Sequence, residues 1–176
     1  MSSGFGGYGG FAQTGGFRAR VLALEAWRTS VEAAWVSFTP ALTAAVTDPT
    51  LGTGNIRAGR YKQIGRLVAV RFRIVFGSAG VAAGSGTYRI SLPVLGRAPL
   101  VADQTLGAIA RLTDASAPQI LHAEIKQPTT DYVTLRIIRA AGAAGTGADV
   151  TNSNPWTWAA NDELIGAYVY ESDAAP

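Results

Sequence analysis

Side chains suited to chemistry are few in this chain, and His122 is the sole histidine among 176 residues. It lies in the run Ile120-Leu121-His122-Ala123-Glu124-Ile125-Lys126. A period of two sets Ile120, His122 and Glu124 on one strand face and Leu121, Ala123 and Ile125 on the other. With no cysteine present, one histidine leaves too few donors for a zinc site within one chain. His122 and Glu124 would supply two ligands at most, across a symmetry interface. A serine nucleophile would depend on the same histidine, and no serine stands in a Gly-x-Ser-x-Gly elbow. Gly77-Ser78-Ala79-Gly80 and Gly84-Ser85-Gly86-Thr87 share letters with that elbow but lack its spacing and its strand-turn-helix setting.

Glycoside hydrolysis needs a carboxylate pair, drawn from Asp103, Asp114, Glu124, Asp131, Asp149, Asp162, Glu163 and Glu171. Most of these fall in turns, where aspartate commonly bonds nearby backbone, and no spacing selects two of them. Gly52 to Gly59 and Gly142 to Asp149 are glycine-rich, yet both lack the Lys-Ser/Thr of a phosphate loop. Calcium-loop acid spacing is absent as well. The expectation is a protein without catalytic residues, metal or cofactor.

Binding chemistry is better represented. Asn154, Trp156 and Trp158, beside Pro155, Asn152 and Asn161, combine flat apolar rings with amides, which suits a sugar face and its hydroxyls. The competing reading, slightly favoured, has Trp156 and Trp158 plugging a β core or a subunit contact. Tyr168 and Tyr170, on one face of a final strand, carry the same choice. Thirteen of the fifteen cations are arginine, the others being Lys62 and Lys126. They are spread from Arg18 to Arg139 without a run, and the formal net charge is only +3. Nucleic-acid domains concentrate charge on one element or face, so these arginines are expected on solvated strand faces, with no nucleic acid as partner. No run of about 18 apolar residues offers a membrane span, and Met1 to Gly16 lacks the basic-then-apolar order of a secretory signal.

Three regions must position these groups. Residues 1–16 hold seven glycines punctuated by Phe5, Tyr8 and Phe11. That composition builds no core of its own and is expected to be an anchoring peptide. Residues 17–35 are free of glycine and proline and rich in Ala, Leu, Arg and Glu, which predicts a helix. Phe17, Val21, Leu24, Val31 and Trp35 make a short heptad seam interrupted by Arg28, and Leu24, Trp27, Val31 and Ala34 make one almost as good. A lone helix of about five turns is marginal in water, so it is expected either to pack on its own domain or, the favoured reading, to form a short parallel coiled-coil stalk.

From 36 to 176 the chain reads as strand and turn. Strands are predicted over Ile56 to Ile64 and Arg66 to Phe76, meeting at Gly65. Val68, Val70, Phe72, Ile74 and Phe76 face inward there, and Arg71 and Arg73 outward. Further strands follow over Thr87 to Leu92, Thr105 to Leu112, Gln119 to Lys126, Tyr132 to Ala140 and Leu164 to Tyr170. The expected fold is an all-β, jelly-roll-like sandwich behind one N-terminal helix.

The segment Trp35 to Pro93 resembles the C-terminal domains of small fibre, decoration and minor tail proteins of tailed bacteriophages, especially those of actinobacteria. The resemblance is carried by Phe38-Thr39-Pro40, Asp48-Pro49-Thr50-Leu51-Gly52, Gly59-Arg60-Tyr61, Ile64-Gly65 and Gly84 to Pro93. It implies a jelly-roll-like domain, a homotrimer behind a helical bundle, and a place on the exterior of the virion. Residues 1–16 would then anchor to a capsid or tail protein, the head being favoured, and host cell-wall carbohydrate is the external ligand to consider. No catalytic residues come with the resemblance.

Overall fold

The computed structural model describes residues 14–102, 104–138 and 147–174. The chain divides after Ala33 into two units. In the first, helix α1 runs over Thr14–Glu32, and Ala33 N still donates to Thr29 O at 2.9 Å. The helix therefore starts and stops earlier than the expected 17–35. Gly15 and Gly16 weaken helix formation by about 1 kcal/mol each without forbidding it. Trp35 is lost to the helix because the chain is already extended there: Val36 pairs with Tyr61, and the Trp35 ring lies 5.3 Å from the Arg71 guanidinium.

The second unit is mostly strand: β1 (Val36–Phe38), β2 (Leu42–Ala44), β3 (Ile56–Ile64), β4 (Leu67–Val75), β5 (Tyr88–Ser91), β6 (Gln104–Asp114), β7 (Gln119–Gln127), β8 (Tyr132–Ile137) and β9 (Glu163–Glu171). All pair antiparallel in one sheet of order β1-β3-β4-β9-β6-β7-β8-β5-β2. β1 and β2 stand at opposite edges, yet only Thr39, Pro40 and Ala41 separate them in sequence. Those four Cα steps span at most about 14 Å, so the sheet must curl until its edges nearly meet. Pro40 is buried at that seam, between edge strands where its missing N–H is tolerated. On the far side β5 and β8 part, and 148–150 fills the fork. Ile137 N donates to Ala148 O, Val150 N to Leu135 O and Tyr88 N to Val150 O, at 2.9, 2.8 and 2.9 Å.

Curling gives the sheet an inner face that is the core. Val68, Val70, Phe72 and Ile74 of β4 are buried while Arg71 and Arg73 are exposed, as the two-residue period predicts. One inner row crosses seven strands as Phe38, Gly59, Phe72, Gly166, Ala110, Ala123 and Ile137. Large and small side chains alternate in its first half because each ring lies over its neighbour. A Cβ on Gly166 would stand 2.6 Å from the Phe72 ring, and one on Gly59 would collide with Phe38. The same register sets two rows on the outer face. They are Ala58, Arg73, Ile165, Arg111 and His122, and beside it Ser37, Arg60, Arg71 and Ala167.

Candidate functional site

The tryptophan segment is structural. Trp158 is 2 % exposed, stacks on Phe76 at 5.5 Å between centroids and packs against Tyr88 at 5.8 Å. Its Nε1 donates to Thr151 O at 2.9 Å, which satisfies the indole N–H that burial would otherwise penalise. Trp158 is therefore corrected from a sugar platform to a core residue, in line with the core-plug reading. Trp156 is half-buried against it, with centroids 5.4 Å apart, and its Nε1 is closed off from solvent. Asn154 spends its side-chain amide on Asp149 O, donating at 2.7 Å. The three residues build the loop that covers one end of the core. Tyr168 and Tyr170 are buried too. Tyr170 Oη donates to Val94 O at 2.7 Å, and burial, against that hydrogen bond, pushes its phenol up to about 12.

Phe5, Tyr8 and Phe11 of the expected anchor lie outside the described residues. On α1, Phe17, Leu24 and Trp27 are 74, 65 and 61 % exposed, and Val21 and Val31 are half-buried. No helix among the described residues is long and apolar enough to cross a membrane.

The carboxylates are engaged in local architecture. Asp114 accepts from Ser116 Oγ, Ser116 N and Ala117 N. The Ser116 hydroxyl is the main cause holding its carboxyl below the usual range. Buried Asp162 ties two turns together, accepting from Ala115 N and Ala159 N at 2.9 and 2.8 Å. Asp149 pairs with buried Lys126 at 3.2 Å, and Asp131 accepts from the Thr129 hydroxyl. His122 and Glu124 do share the outer face, but Glu124 faces Arg136 at 3.8 Å. No group of three His, Cys, Asp or Glu that could hold a metal occurs among the described residues.

What the register does assemble is a basic depression. It lies on the outer face from β1 to β7 and has a volume of about 920 Å³. Its lining includes Arg57, Arg60, Arg71, Arg73, Arg111 and His122, with no carboxylate, over a floor of Ala58, Ile165 and Ala167. Arg60 stands directly across from Arg71. Arg71 lies over Trp35, a cation–π contact that orients it. At one rim Glu163 is clamped: Arg73 Nε donates to Oε1 at 2.5 Å and Arg111 Nη2 to Oε2 at 2.8 Å. Arg57 and Arg60 make no ion pair among the described residues. Reading the arginines as scattered missed this face, because its five arginines come from three strands, β3, β4 and β6, and only pairing brings them together. The available signal was the shared outward parity of Arg71 and Arg73.

Partial burial acts to raise the Glu163 pKa, but hydrogen bonds and charge from Arg73 and Arg111 outweigh it and hold the carboxyl below its ordinary value. An unfolded glutamate titrates near about 4.3. The stabilisation is thus complete above that pH and lost as pH falls through the lower folded value. Glu163→Gln should be less stable than wild type at neutral pH by about 1 kcal/mol, a screened value for half-exposed arginines. Urea unfolding at neutral pH and near pH 3 tests this. A gap that does not narrow in acid would deny the carboxylate its role.

Compared with protein-family models, curated proteins and solved structures, the chain finds no match. Fold and surface by themselves define a curled antiparallel β domain with a basic outer face, preceded by one helix.

Proposed function

We propose that this chain is a non-catalytic structural protein of a bacteriophage virion, a short trimeric fibre or decoration on the exterior of the particle. Residues 1–16, through Phe5, Tyr8 and Phe11, anchor it to a capsid protein. Three copies of α1 form a coiled-coil stalk, and three jelly-roll-like β domains face outward, where they aid adhesion to the host surface. The observation that carries the reading is the exposure of Phe17, Leu24 and Trp27 on a single helix. Nineteen residues of helix leaving such side chains in water are marginal alone. Phe17, Leu24 and Val31 repeat at seven residues with Trp27 between them, so a partner helix buries all four. The resemblance of Trp35 to Pro93 to phage fibre and decoration domains supports the same assignment.

A place at the tail, as a minor tail protein or a receptor-binding module for cell-wall glycan, is the second reading, favoured by the basic depression on the outer face. Two measurements test the proposal. Light scattering should give three times the 18.3 kDa of one chain, and Leu24→Glu/Trp27→Glu should give the single-chain mass while the β domain keeps its circular dichroism. A wild-type monomer defeats the stalk. Imaging of the particle should place many copies on the capsid; copies confined to the tail tip would establish the second reading instead.

A further inference from the structure

We propose that the outer-face depression is the adhesion site and that its ligand is an anionic saccharide polymer. The arginines hold its carboxylate or phosphate oxyanions, and its sugar rings lie on the aliphatic floor. The inference rests on the reading of an outward-facing virion domain.

Charge comes first. Among the described residues, five arginines and no carboxylate line the depression. Counting the clamped Glu163 against them still leaves more positive charge than the +3 of the entire chain. The basic excess of the protein is therefore local. Second, Arg60 faces Arg71 across one strand pair. Like charges directly opposite are destabilising, and a bridging oxyanion converts that repulsion into two attractions. Third, the lining cations are all arginine, whose planar fork engages carboxylate or phosphate through paired hydrogen bonds. Several forks are already oriented. Trp35 supports Arg71. Glu163 takes Nε of Arg73 and Nη2 of Arg111, leaving further N–H groups on both.

The floor decides the class of polymer. Ile165, Ala167 and Ala58 offer an aliphatic surface for the C–H face of a sugar. Six adjacent strands at about 4.8 Å spacing give a width near 24 Å, room for several sugar residues. A single-stranded nucleic acid needs aromatic platforms for its bases. The two aromatic residues that line the depression are committed elsewhere, Phe72 being buried and Phe38 packing edge-on against Tyr61, while Trp35, outside the lining, already carries Arg71 over its ring.

The test uses the full-length protein on a sensor surface and four probes: polygalacturonate, a glycosylated poly(ribitol phosphate), neutral dextran and oligo(dT). At least one acidic glycan should bind with an affinity that falls as salt rises, and dextran should not. Which of the two binds identifies the oxyanion. Arg60→Gln/Arg71→Gln should weaken binding tenfold or more. Arg60→Gln alone, at a residue with no ion pair among the described residues, should weaken it threefold or more at a Tm no lower than wild type, since it also relieves the repulsion with Arg71. Neither acidic glycan binding, dextran binding equally, unaltered binding by both variants, or oligo(dT) binding as tightly as the glycans would each overturn the site. Chain mass and particle position are read separately, so a failed site leaves the trimeric virion assignment standing, and the reverse.

Discussion

Replacing Trp158 with alanine should lower the Tm by about 10 °C or more, through a loss of roughly 3–5 kcal/mol. The indole fills the end of the curled sheet between Phe76 and Tyr88, and its N–H is the donor to Thr151 O. Truncation leaves both a cavity and an unpaired carbonyl, and the loop over 151–162 loses what pins it to the core. Trp156→Ala removes a half-buried ring packed at a tilt against the first and should cost about 1–2 kcal/mol. Differential scanning calorimetry of the two variants separates the roles. A Trp158→Ala protein melting at the wild-type temperature would mean that the ring is not a core residue, and the sugar-platform reading would have to return.

Gly84→Ala should be at least as damaging as its single added methyl allows, losing about 3 kcal/mol or more. Gly84 sits at φ +68°, and its Cβ would run into Thr47 O, with Pro49 N and Asp48 C at 2.8 and 2.9 Å. Those atoms cannot yield freely, because Thr47 N donates to Ser85 O at 3.1 Å and Ser85 N to Thr47 O at 2.8 Å. Gly80 supplies the control. It has nearly the same φ, +71°, but nothing within 4 Å of the added atom, so Gly80→Ala should show only the backbone penalty of about 1–2 kcal/mol. Urea unfolding of both variants gives the difference; equal losses would show that the collision with Thr47 is relieved by movement of the loop.

Much of the β domain was legible because alternation is a local property. β3 ends at Ile64 before Gly65 as expected, β4 runs over Leu67–Val75, one residue short of the expected span at each end, and the inward set of Val68, Val70, Phe72 and Ile74 needs no knowledge of their partners. The order of the strands was not legible. Nothing in the residues of β9 states that it lies between β4 and β6, and every cross-strand property depends on that placement. The basic depression is such a property: Arg60, Arg73 and Arg111 are far apart in sequence and meet only through register. The direction of Trp158 was hidden for a related reason, since a loop residue two positions from another tryptophan can face either way until the chain end it covers is known. The end of α1 was misplaced because helix propensity continues through Ala33 and Ala34, whereas the pairing of Val36 with Tyr61 takes the chain away.

β9 has a consequence for how the domain is made. It is translated after the other eight strands, yet it is the strand that joins them: β1, β3 and β4 lie on one side of it and β6, β7, β8, β5 and β2 on the other. Without Glu163–Glu171 the strand pairing falls into two groups, β1-β3-β4 and β6-β7-β8-β5-β2, each with one open inner edge. Folding of such a topology relies on pairings distant in sequence and is correspondingly slow, with unpaired edges exposed meanwhile. The helix, by contrast, takes its backbone hydrogen bonds from within its own nineteen residues. Until β9 is in place, β4 and β6 each keep one ladder of backbone groups without its strand partner.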